Sequence, residues 1–80
     1  MKLTVSELIE QILLAINDIP FEYKGKDGFI VPFYEENSIG AVMRFENNET
    51  SEIYGIDKII DFKFIDGKSL KEVCDEIIFF

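Results

Sequence analysis

The chain has 80 residues, enough for one domain, with 16 acidic side chains against 8 basic ones and a net charge of −8. That sign repels phosphate backbones and anionic membranes, so direct nucleic-acid binding and membrane attachment are not expected, whereas a basic protein partner would be attracted. The chain is 48% hydrophobic, with 8 Phe and 3 Tyr, which is too apolar for disorder. A domain this short buries only about 60–65% of its unfolded surface, which leaves apolar area for a partner or a second copy to cover.

Thr4-Val5-Ser6-Glu7 has the residues of a capping box. Val5, Leu8, Ile9, Ile12, Leu13 and Ile16 follow at the spacing of one helical face, with Glu7, Glu10 and Gln11 opposite. The spacing predicts a helix over 5–17, ended ahead of Pro20. Leu14 falls about 180° from Val5, on the polar side, where it is a candidate contact residue. No secretory leader is expected, because the first residues run straight into this acidic helix. The apolar run Ile12 to Ile16 is far too short for a membrane span. With one Cys, unable to form an internal disulfide, the expected location is cytoplasmic.

Phe21 to Tyr23 and Phe29 to Tyr34 read as strands around a turn at 24–28 with two glycines. Phe29, Val31 and Phe33 share one face of the second strand, and Pro32 predicts that it is an edge strand or carries a bulge. A turn at Glu35-Glu36-Asn37-Ser38 leads to a strand over 40–45, in which Ala41, Met43 and Phe45 alternate with Val42 and Arg44. After the turn at 47–51 comes a short strand at 52–54, with Gly55 as a bulge or bend. The alternation of Ile60, Phe62 and Phe64 against Ile59, Asp61, Lys63 and Ile65 predicts a strand over 58–65, with Phe62 at the centre of the core. Asp66-Gly67-Lys68 is a turn. A second capping box, Ser69-Leu70-Lys71-Glu72, opens a helix expected over 70–78, with Leu70, Val73, Cys74 and Ile77 on its apolar face.

The expected fold is therefore a single α+β domain over 1–80. It has an N-terminal helix, an antiparallel meander sheet of four to five strands and a C-terminal helix, with both helices on one sheet face. The opposite face would then carry Ile30, Tyr34, Val42, Ile59 and Ile65. That is more apolar than a solvated face should be, so either the sheet curls or the face meets a partner.

No set of residues spells out catalytic chemistry. The chain has no His, which removes the commonest general base and metal ligand and the usual Ser-His-Asp and Cys-His arrangements. Cys74 sits on an apolar helix face, where it reads as a buried, inert thiol, and one Cys excludes a zinc or iron–sulfur site. The carboxylate pairs Glu35-Glu36, Glu46 with Glu49, and Asp57 with Asp61 read as solvated side chains, and there is no calcium loop. Gly67-Lys68-Ser69 lacks the upstream glycine of a phosphate loop, since Phe62 stands there. Asn48-Glu49-Thr50 fits a glycosylation triplet without a secretion signal to support its use. Phe29, Phe33, Phe45, Phe62 and Phe64 read as core rather than as a base-stacking platform, because the chain is acidic. No catalytic residue, cofactor or metal is therefore expected.

Being very short, acidic, Ile-rich and without a catalytic set, the chain resembles in overall character the accessory proteins of phages and mobile elements. That resemblance rests on no specific motif. It implies an inhibitor or immunity-type protein, here one that blocks a basic, nucleic-acid-handling protein. The candidate partner-binding residues are Glu35, Glu36, Glu46, Glu49 and Glu52, joined by Leu14, Phe79 and Phe80. Successive turns of a meander lie at opposite sheet ends, so whether these carboxylates converge depends on the fold. The alternatives are a self-associating structural or regulatory module that uses the apolar sheet face as a homodimer, and a small-molecule-binding domain.

Overall fold

A computed structural model describes all 80 residues. The elements in chain order are α1 (Val5–Leu14), β1 (Ile19–Tyr23), β2 (Lys26–Glu35), β3 (Ser38–Phe45), β4 (Ser51–Tyr54), α2 (Ile56–Asp61), β5 (Lys63–Ile65), β6 (Lys68–Ser69), α3 (Leu70–Val73), a 3₁₀ turn at Cys74–Glu76 and β7 (Ile77–Phe79). Five strands form one antiparallel sheet in the order β4-β3-β2-β1-β7, a four-strand meander with the chain's last strand added beside its first. β5 and β6 form a separate hairpin.

Local chemistry accounts for most of these boundaries. The Thr4 hydroxyl accepts the Glu7 N–H while the Glu7 carboxylate accepts the Thr4 N–H, and Ser69 and Glu72 repeat the arrangement at α3. Three tight hairpin turns, Lys24-Gly25, Glu36-Asn37 and Asp66-Gly67, have both residues at positive φ, the form whose twist suits antiparallel strands. α1 stops at Leu14 because Ala15 turns left-handed at φ 48°. The helix is therefore three residues shorter than the spacing predicts, and Leu13 and Ile16 are exposed rather than part of the buried stripe.

Two segments depart from expectation. Residues 56–61 are helical and only 63–65 are strand. Ile56, Ile59 and Ile60 have helical spacing as well, and Gly55 at φ 92° turns the chain out of β4 and caps the helix. Phe62 ends that helix, is partly buried and stacks on Phe64 at 6.0 Å, so it is not the centre of the core. The closing helix expected over 70–78 lasts one turn and a 3₁₀ turn. Ile77-Ile78-Phe79, a β-favouring run, then pairs with β1 through Phe21↔Phe79 and Tyr23↔Ile77.

The register sorts the sheet into two faces. One carries Phe21, Tyr23, Ile30, Ile39, Ala41, Met43, Phe45, Ile77 and Phe79, all buried under Leu8 and Ile12 of α1, Ile59 and Ile60 of α2, Ile65, and Leu70, Val73 and Cys74. The rings of Phe45, Phe64 and Phe79 surround Phe21 at 6.2–6.4 Å. Every helix and the small hairpin therefore lie on one side. Ile30, expected opposite the core, is in it, while Phe29, Val31 and Phe33 are on the side that nothing covers. β2 is also not an edge strand. At Pro32, however, it has outrun β1, whose pairing ends at Ile19↔Ile30, so the missing N–H faces no partner strand there.

Candidate functional site

The uncovered sheet face is built from alternate residues of four strands. Its rows follow from the register: Arg44 beside Phe29 and Pro20, then Glu52 beside Val42 and Val31, then Tyr54 beside Gly40 and Phe33. At one end the Arg44 guanidinium lies 5.0 Å over the Phe29 ring, a cation–π contact. At the other, Phe33 and Tyr54 meet edge to face at 5.7 Å across Gly40. Gly40 is buried beneath them, and a Cβ there would stand 2.7 Å from the Phe33 ring. Val31 and Val42 form the middle. Ile78, 41% exposed, extends the face onto β7.

Three carboxylates border the Tyr54 end. The Tyr54 hydroxyl lies 3.0 Å from Glu35 Oε2 and hydrogen-bonds Glu52 Oε1 as well. Hydrogen bonding to Glu52, then to Glu35, holds this phenol well above the usual tyrosine range. One hydroxyl hydrogen serves two carboxylates, so at least one of them has no donor from Tyr54. Glu36 stands beside them in the turn at φ 50°. None of the three makes an ion pair, whereas Lys26 pairs with Glu46 at 3.8 Å and Asp66 at 3.5 Å, and Lys63 pairs with Glu72.

The sequence candidates thus divide. Glu35 and Glu52 are brought together with Glu36 beside them. Glu46 and Glu49 lie past the opposite end of β3, where Glu46 already faces Lys26. Leu14 is 57% and Phe80 68% exposed, but Phe79 is 2% exposed, because β7 turns it into the core against Phe21, and it offers no contact surface. The aromatic pair Phe29 and Phe33, expected in the core, belongs to the open face. The turn Glu36-Asn37 carries the signal that would have placed it: a two-residue turn sets Glu35 opposite Ser38, and hence Phe33 opposite Gly40 and Val31 opposite Val42.

The remaining reactive groups have structural partners. Cys74 is buried and its thiol donates to the Leu3 carbonyl at 3.2 Å. Burial first, then the charges of Asp75 and Glu7, push the thiol up. Glu72 is held below the usual carboxylate range by the Lys63 ammonium and the Ser69 N–H of its own capping box. Asp57 and Asp61 lie exposed one turn apart on α2. No helix is long and apolar enough to cross a membrane. In comparisons with known proteins, no family model, curated protein or solved structure matches the chain. Fold and surface together define a small α+β domain whose antiparallel sheet is covered on one face only.

Proposed function

We propose that the protein is a non-catalytic protein-binding module of the inhibitor or immunity type, and that its target is a basic, nucleic-acid-handling protein. The observation that carries this reading is the group Glu35, Glu36 and Glu52, gathered at one end of the sheet with no basic side chain to neutralise it. On a chain of net charge −8, such a group steers a positively charged surface toward that end and speeds encounter. An inhibitor of this kind would place carboxylates where the target otherwise receives phosphates.

The test begins with a partner recovered from the source cells and purified, and reads association kinetics. Between 0.05 and 0.5 M salt the on-rate is expected to fall by ~10-fold or more, the range over which screening removes steering. Charge reversal of Glu35, Glu36 and Glu52 together to Lys is expected to slow association by about tenfold with little change in the off-rate, because rim charges act on encounter. Reversal of Glu46 and Glu49 is expected to do less. An on-rate indifferent to salt and to both sets would sink the reading.

A further inference from the structure

The uncovered face of the sheet carries an apolar row in which Phe29, Val31, Phe33 and Val42 are only partly buried and Tyr54 and Ile78 are exposed. Phe29, Val31, Phe33, Val42, Tyr54 and Ile78 share it, and no element of the chain crosses it. Five strands about 4.8 Å apart make a face about 20–25 Å wide, and β2 runs along it for about 30 Å. Because β4 and β7 are only 4 and 3 residues long, the face is narrower than that rectangle and can bury on the order of 500–600 Å² on this side, the lower bound of a specific interface. Its apolar centre and polar ends follow the arrangement of binding surfaces, in which aromatic anchors are ringed by charge.

The charges on this face select the occupant. Glu22, Asp27, Glu35 and Glu52 point to the same side as the apolar row, against Arg44 as the one basic residue. Arg44 is already engaged over Phe29. A second copy would bring the same four carboxylates and another −8 against the first, and a nucleic acid would bring phosphates, so both are opposed by charge. A surface with an apolar centre and flanking Arg or Lys side chains is matched by it. The position of one such cation is set by the register. Glu52 stands opposite Val42 and meets Glu35 at Tyr54 in the next row, and two residues along a strand span about 7 Å.

We infer that the open sheet face is the docking surface for the target. The target presents an apolar segment to Val31 and Val42 and a guanidinium or ammonium group to the Glu35–Tyr54–Glu52 cluster, about 7 Å away. This deepens the reading of the protein as a binder of basic proteins and rests on it.

The experiment uses the whole chain, isotopically labelled, and two synthetic strand peptides of 10 to 12 residues. In one, the alternate positions that share a face read Val-Val-Arg; in the other they read Val-Val-Glu, with Ser between them in both. The Arg peptide is expected to shift the amide resonances of Phe29, Val31, Phe33, Val42 and Tyr54, and the Glu peptide none of them. Glu35→Lys with Glu52→Lys is expected to weaken binding at least tenfold. Val42→Glu, which faces solvent and leaves the core untouched, is expected to abolish the shifts while the variant keeps its fold by circular dichroism. Shifts confined to the turns and to α1 would overturn the docking surface while leaving the binder of basic proteins intact. The absence of any binding by the Arg peptide would overturn the docking surface, while the reading as a binder of basic proteins stands or falls on the salt dependence of the on-rate. Light scattering at 0.01–1 mM is expected to give the 9.3 kDa of one chain; a dimer abolished by Val42→Glu would show instead that a second copy covers the face.

Discussion

Two glycines in facing strands show how differently one residue type is constrained on the two sides of this sheet. Gly40 lies under Phe33 and Tyr54 on the open face, where the atoms a Cβ would meet are the outer edges of rings that can swing toward solvent. Gly28 lies on the core face, where a Cβ would stand 2.5 Å from the Phe21 ring and 2.9 Å from the Arg44 carbonyl. Phe21 is fully buried between Phe45, Phe64 and Phe79, and the carbonyl belongs to the neighbouring strand, so neither can yield. Gly28→Ala is therefore expected to destabilise by ~1–3 kcal/mol, as overpacking does, and Gly40→Ala by less than about 1 kcal/mol. Urea denaturation of the two variants checks this, and the reverse order would mean that the buried and open faces are wrongly assigned.

Among the elements, legibility in the sequence followed how local the determining interaction is. Both capping boxes and the turns within 35–38 and 66–68 were readable, because each is fixed by residues within four positions of one another, although their two-residue form was not. α2 was not, since 56–65 carries two periodicities at once: Ile56, Ile59 and Ile60 suit a helix, and Ile60, Phe62 and Phe64 suit a strand. What decides is tertiary. As a helix the segment buries Ile59 and Ile60 against α1, α3 and β3, and leaves Asp57, Lys58 and Asp61 in water. β7 was hidden for a similar reason, as its partner β1 is over fifty residues away. The carboxylate group was legible by composition and by the Glu35-Glu36 turn. Its convergence with Glu52 was not, because that depends on β4 folding back beside β3. The helical assignment has a measurable consequence. Ile59→Ala removes a fully buried side chain and is expected to cost ~2–5 kcal/mol, whereas Phe62→Ala, at a half-buried helix end, is expected to cost about 1 kcal/mol. Equal losses in thermal or urea melts would restore Phe62 to the core.

At the scale of the whole molecule, the economy of the fold is a three-helix layer on one side of a five-stranded sheet, held by 17 buried apolar residues, with sixteen carboxylates placed around it. Three ion pairs engage Lys26 and Lys63 and leave most of those carboxylates without a basic neighbour. The molecule measures 35 × 25 × 19 Å. At 0.01 M salt the screening length is about 30 Å, so every charge acts on nearly every other across the domain; at 0.15 M it is about 8 Å, and only neighbours interact. An excess of eight negative charges confined to this volume opposes the compact state more than the expanded chain. Raising NaCl from 0.01 to 0.15 M is therefore expected to stabilise the protein, in contrast to the weakening proposed for its association with a basic partner. A gain of about 1 kcal/mol corresponds to a Tm rise of ~4–8 °C in a domain of this size. Scanning calorimetry at low protein concentration, where light scattering gives a single chain, separates this from any effect of self-association. A Tm that falls with salt would mean that favourable ion pairs outweigh the repulsion, and that the negative charge is locally balanced rather than held free for a partner.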